Sequence, residues 1–139
     1  MIAIYTNVLI YSLERNDIEK RAKARSLLRQ LRRQPDDVII PWQVMGEFLR
    51  YLRSLQDQKR IDREDLERIF SACRRLFPIA LPPTSILDQA ISLTNRYSLS
   101  HWDSMLLGAC AEAGVDTLYT EDMGAPVIID RIALINPFV

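Results

Sequence analysis

Ile2-Ala3-Ile4-Tyr5-Thr6-Asn7-Val8-Leu9-Ile10-Tyr11-Ser12-Leu13 is the stretch whose reading decides the fold. Ile2–Tyr5 is a short apolar run, the signature of a strand buried on both faces. Thr6-Asn7 offers a helix start, and Val8–Leu13 carries the helix on. A buried strand that runs straight into a helix is how an α/β unit begins. The stretch has no basic leading segment and no small-residue cleavage site, and Glu14 and Arg15 follow at once. The expectation is a buried strand and turn rather than a signal peptide.

The pattern repeats along the chain. Ala24, Leu27, Leu28 and Leu31 recur at helical spacing within Glu19–Arg33, and Gln34-Pro35-Asp36-Asp37 breaks that helix. Val38-Ile39-Ile40 is a second buried strand, stopped by Pro41. Trp42–Leu55 is an amphipathic helix with Val44, Met45, Phe48, Leu49, Leu52 and Leu55 on one stripe. Asp62 caps a helix over Arg63–Phe77. Ile79-Ala80-Leu81 is a third strand, Thr84–Tyr97 a further helix, and Ser100 caps one from His101 to Ala113 that Gly114 ends. Thr117-Leu118-Tyr119 and Ile132–Ile135 complete the reading. Strands alternating with helices predict a three-layer α/β/α domain over residues 1–139, with a mostly parallel sheet of roughly five strands.

Composition sets the outer bounds. The chain has 139 residues, of which 48% are hydrophobic and 26% charged, enough for one domain with a sizeable core. No apolar run approaches the ~18 residues that a membrane helix needs. Cys73 and Cys110 lack CxxC spacing and read as reduced core thiols of a cytoplasmic protein. The single histidine, His101, excludes a His-rich metal site. A formal net charge of +0 argues against a strongly basic nucleic-acid binder, but it is the sum of unlike halves. Residues 1–75 hold 16 Lys/Arg against 11 Asp/Glu, and residues 76–139 hold 2 against 7. Such asymmetry points to a nucleic-acid or acidic partner on one side, with two differently solvated helix faces as the ordinary alternative.

In an open α/β sheet, chemistry lies beyond the carboxyl ends of the strands. Acids stand at three such places. Glu47 lies early in the helix after the second strand, at the edge of its apolar stripe; its ordinary role would be to favour the helix dipole. Asp103 follows Ser100 in a capping-box spacing, yet its neighbours Trp102, Met105, Leu106 and Leu107 are apolar, and a buried charge there needs a partner. Asp122, with Glu121 beside it, follows the fourth strand directly, where a turn-forming role competes. Three acids at one sheet edge, in a chain with one His, suit Mg²⁺ or Mn²⁺ rather than zinc. Such ions assist phosphoryl transfer and activate water.

With these motifs in place, the sequence resembles the PIN-domain family, and within it the VapC-type toxins of toxin–antitoxin pairs. The resemblance rests on Ile2–Tyr11, on Val44-x-x-Glu47-Phe48, on Trp102-Asp103-Ser104-Met105-Leu106, on Thr120-Glu121-Asp122-Met123 and on the closing Asn136-Pro137-Phe138. It spans essentially the whole chain in order. It implies a metal-dependent endoribonuclease, a hydrolase with an acidic quartet binding Mg²⁺ or Mn²⁺, a homodimer, an RNA substrate, and an antitoxin that covers the cleft. Glu47, Asp103 and Asp122 fill three of the quartet's places. Thr6, Asn7 and Thr120 are neighbouring polar groups that orient ligands, and Glu121 is an extra acid.

The fourth place departs from the family. The first strand of such toxins ends in Asp-Thr-Asn-Val-Leu; here it ends in Tyr5-Thr6-Asn7-Val8-Leu9. A phenol, with a reference pKa of about 10, is neutral at pH 7 and a poor ligand for a hard cation. The resemblance therefore implies a nuclease impaired at Tyr5. The alternative is an inactive PIN-like module that binds antitoxin or RNA without cutting. Tyr5 fits either a natural degenerate member or an inactivating substitution one nucleotide from Asp. A phosphatase on a similar sheet lacks support, because the first strand offers no Asp-x-Asp pair.

Overall fold

The computed structural model describes all residues, Met1–Val139. Six helices alternate with the strands: α1 (Thr6–Leu13), α2 (Ile18–Leu31), α3 (Trp42–Asp57), α4 (Arg63–Arg74), α5 (Ile86–Arg96) and α6 (His101–Glu112). Local chemistry starts and stops them. Asp17 caps α2 by accepting from the Lys20 amide at 3.0 Å. Asp62 and Asp65 close a reciprocal capping box on α4. Gly114, at φ 73°, follows α6 in the left-handed conformation that glycine adopts without strain.

The sheet has six strands: β1 (Ile2–Ile4), β2 (Val38–Pro41), β3 (Ile79–Ala80), β4 (Thr117–Tyr119), β5 (Val127–Ile129) and β6 (Ile132–Ile135). Their order is β3-β2-β1-β4-β6-β5. All neighbours run parallel except the β5–β6 hairpin. Five strands fall where the sequence puts them. The sixth, β5, carries little pattern: Val127 and Ile128 are exposed at the sheet edge and only Ile129 is buried. Its turn is Asp130-Arg131, with Asp130 at φ 56°, rather than an Asn-Gly or Asp-Gly pair.

The order explains the layers. β1, β2 and β3 progress one way across the sheet through α1–α2 and α3–α4, and β4 then returns to the other side of β1 through α5–α6. Crossovers between parallel strands are right-handed, so reversing direction moves the helices to the opposite face. Accordingly α1 packs on α2 and α3, α3 packs on α4, and α5 packs on α6. Gly108 lets the last pair approach closely; a Cβ there would lie 3.1 Å from the Ile86 carbonyl oxygen. Between the layers lies one apolar core in which Ile4, Leu9, Ile40, Phe48, Leu106, Leu107 and Leu118 are fully buried. No helix is long and apolar enough to cross a membrane.

Two outcomes follow from this core. Leu118→Ala, at the middle of the sheet, should lower stability by about 2–5 kcal/mol, read by denaturant unfolding. Both cysteines are free and buried, and burial pushes the thiol of Cys73 up to about 11 and that of Cys110 up to about 12. In the folded chain at pH 8 neither should react with a thiol reagent, and both should react once it unfolds. Because the folded state holds these protons more tightly, their contribution to stability is present at neutral pH and is lost as the pH climbs above the free-thiol range.

Candidate functional site

The strand order reverses between β1 and β4, the place where an open α/β sheet leaves a crevice. The Tyr5 amide donates to the Tyr119 carbonyl at 2.9 Å and extends the β1–β4 ladder by one rung. Tyr5 is thereby fixed as the extended residue ahead of α1. Thr120 is tied in turn, its amide donating to the Ile135 carbonyl at 2.9 Å. The three residues after β1 and the three after β4 are thus presented side by side.

Glu47 arrives from the second turn of α3, and Asp103 from the first turn of α6. Glu47, Asp103 and Asp122 all lie within electrostatic reach of Tyr5. Their negative charges, added to half-burial of the ring as the larger cause, push the Tyr5 phenol far above its ordinary value. It is a neutral hydroxyl among carboxylates. The Asp122 carboxyl is also raised. Partial shielding from water comes first, then the charges of Glu121 and Asp103, with Glu47 the smallest contributor; a hydrogen bond from Asn7 opposes them.

The polar neighbours act on the acids directly. The Thr6 hydroxyl, itself buried, donates to Glu47 Oε2 at 2.5 Å. Asn7 Nδ2 reaches Asp122 Oδ2 at 3.4 Å and Thr120 Oγ1 at 3.5 Å, both long contacts. The Thr120 hydroxyl oxygen accepts from the Asp122 amide at 3.0 Å, which fixes the turn after β4. Ser100 Oγ accepts from the Asp103 amide at 3.3 Å. The reciprocal half of that capping box does not form, so the Asp103 carboxylate stays open to the site.

Glu121 sits differently from its neighbour. Its two oxygens are taken by the Tyr11 hydroxyl at 2.8 Å and by Lys20 Nζ at 2.8 Å. The Lys20 ammonium also lies 4.5 Å from the centre of the Tyr11 ring, which meets Phe138 edge-on at 5.0 Å. Glu121 is therefore a tether between the β4 turn and helices α1 and α2, and not a free ligand. Sequence reasoning missed Lys20 and Tyr11, about a hundred positions away, and it missed Gln43. The Gln43 amide donates to Glu47 Oε1 and to the Trp102 carbonyl, each at 3.1 Å, and so joins α3 to α6 across the site. The spacing of four between Gln43 and Glu47 on one helix is the signal that would have found it.

The donor chemistry suits a hard cation: carboxylate oxygens, and Asn7 Oδ1, a buried acceptor with no hydrogen-bond partner. The geometry does not fit one. No three His, Cys, Asp or Glu side chains come close enough together to hold a metal ion. The acids stand around Tyr5 instead, and a phenol brings no charge to the shell.

A PIN-domain family model matches residues 2–128. No curated protein matches the chain. Among solved structures, the fold is similar to VapC20 of Mycobacterium tuberculosis, described as a Sarcin-Ricin loop cleaving toxin, with TM-score 0.64 and 17% identity over 89% of this chain and 92% of that one. It is similar to a toxin–antitoxin complex from Klebsiella pneumoniae, with TM-score 0.68 and 18% identity over 99% of this chain and 98% of that one. It also resembles VapBC2 of Rickettsia felis, bound to a DNA fragment from its promoter, with TM-score 0.71 and 14% identity over 96% and 97%. The matched span takes in the β1 turn, α3, the start of α6 and the β4 turn, and the chain belongs to the PIN-domain family.

Proposed function

We propose that this chain is built as the toxin of a toxin–antitoxin pair, an RNA-cleaving hydrolase of the PIN class, and that Tyr5 disables its cleavage. The observation that carries the reading is the convergence of Glu47, Asp103 and Asp122 on Tyr5 at the switch point of the sheet. Thr6 and Asn7 already orient two of those acids, an arrangement with no purpose in a core that simply packs. The solved structures of similar fold, a VapC toxin and two toxin–antitoxin complexes, support the toxin–antitoxin setting. On this reading the partners are a cognate antitoxin, an RNA and a second copy of the chain, and the setting is the cytoplasm.

The ion that the acids suit is Mg²⁺ or Mn²⁺. With Tyr5 in place it is not held, and the chain retains only what needs no ion: a preformed acidic crevice and its surroundings. A module that binds antitoxin or RNA without cutting is the second reading, favoured by the same neutral phenol. Tyr5→Asp separates the two. It returns a fourth carboxylate to the crevice and removes a bulky neutral ring.

The unaltered chain should show no Mg²⁺- or Mn²⁺-dependent cleavage of a broad RNA panel, and Tyr5→Asp should cleave. Cleavage by the unaltered chain would show that Tyr5 does not disable the site, whereas silence from Tyr5→Asp would favour the binding module. Stability gives an independent check. A fourth carboxylate adds like-charge repulsion, so metal-free Tyr5→Asp should melt lower than the unaltered chain, and Mn²⁺ should raise its melting temperature alone. In that same background Thr6→Ala frees Glu47 from its hydrogen bond and should weaken Mn²⁺ binding by about 10–100-fold, read by calorimetry.

A further inference from the structure

The chain has two tryptophans, and both stand exposed beside the acidic crevice: Trp42 is 58% exposed and Trp102 62%. Trp is among the largest apolar side chains, and folding ordinarily buries most of its surface. Trp42 opens α3 one turn before Glu47, and Trp102 immediately precedes Asp103. They line one open hollow of about 260 Å³, with Gln43, Pro82 and Met105 between them. Trp42 also borders a second hollow of about 360 Å³, lined by Met45, Leu49, Phe70 and Arg74. The Gln43 amide links this pair to the acids, since it bonds both Glu47 and the Trp102 carbonyl.

We propose that Trp42 and Trp102 are the base-holding residues of the site, each stacking an unpaired base of single-stranded RNA at the rim of the crevice. The proposal rests on the nucleic-acid reading above and deepens it. Every base has a π-face, and an exposed indole is the strongest stacking partner a protein offers. The hollows are apolar but edged by two groups a nucleotide can use: the side-chain carbonyl of Gln43, whose amide hydrogens are already spent on Glu47 and Trp102, as an acceptor for a base edge, and a guanidinium at Arg74 for a phosphate. Charge favours this occupant on that side. Arg50 and Arg53 on α3, Arg74 at the end of α4 and Arg75 just after it are all exposed and belong to the basic half of the chain. A paired duplex keeps its bases inside the stack and cannot use the indoles, so the site selects unpaired RNA.

The test uses the full chain without divalent metal, short single-stranded RNA oligonucleotides, and the same sequences annealed as duplex. Single strands should quench tryptophan emission and bind more tightly than duplex. Trp42→Ala and Trp102→Ala should each weaken binding about 5-fold or more, and Trp→Phe at either place should restore much of the loss. Both positions are exposed, so circular dichroism should not change. Alanine variants that bind single strands as well as the unaltered chain overturn the proposal. So does an Arg-containing amphipathic peptide that shifts the tryptophan emission when RNA does not, which would assign the hollows to a protein. Failure of the nuclease reading looks different. If Tyr5→Asp never cleaves while the tryptophans still govern RNA binding, the enzyme reading falls and this one stands. If Tyr5→Asp cleaves with a KM that ignores both tryptophan substitutions, the reverse holds.

Discussion

The hydrogen bond from the Tyr5 amide to the Tyr119 carbonyl closes the parallel ladder between β1 and β4, and the site depends on that register. Ile4 pairs with Tyr119, so the residues that follow each strand emerge at the same height. A shift by one residue would turn Tyr5 to the opposite face and part Asn7 from Asp122. The register is in turn held by the core: Ile4 and Leu118 are fully buried between the two helix layers, and neither can move without exposing apolar surface. Packing at the centre of the sheet thus sets the geometry at its edge.

What is assembled at that edge is a crowd of like charges around a neutral ring. Carboxylates near one another without a cation repel, and the Asp122 carboxyl, raised first by its shielding from water, is raised further by the charges of Glu121 and Asp103. Tyr5 relieves this by placing near the acids a group that carries no charge. Thr6 and Asn7 relieve it further by donating hydrogen bonds to Glu47 and Asp122. On the proposed function, the residue that withholds a fourth carboxylate from a cation therefore also makes the metal-free crevice easier to fold. Stability and chemistry pull in opposite directions at position 5.

Most of the architecture was legible because its signals are local. Val38-Ile39-Ile40 is apolar throughout, as a strand covered on both faces must be, and the stripe of α3 recurs at helical spacing. β5 was not legible because an exposed edge strand needs no apolar pattern, and Asp130-Arg131 is an unusual turn. The site divides the same way. Glu47, Asp103 and Asp122 stand at element ends where strand topology predicts chemistry, and Tyr5 was marked by the motif around it. The fate of Glu121 was invisible, because it is settled by Lys20 and Tyr11, which only the folded chain brings near. Net charge misled for a similar reason: a sum over the chain hides that thirteen of the fifteen arginines fall in residues 1–75 while two of the three acids come from the other half.

The tether at Glu121 bears on how the crevice meets a ligand. Lys20 and Tyr11 hold the β4 turn against two helices, and Phe138 closes the cluster from the chain's far end. The turn that carries Asp122 is thus ordered before anything binds. The conformational entropy of arranging it is spent during folding and does not weigh on association. Recognition at this edge is then a matter of fit to a rigid surface, and discrimination between ligands falls to their shape and charge rather than to their capacity to mould the loop.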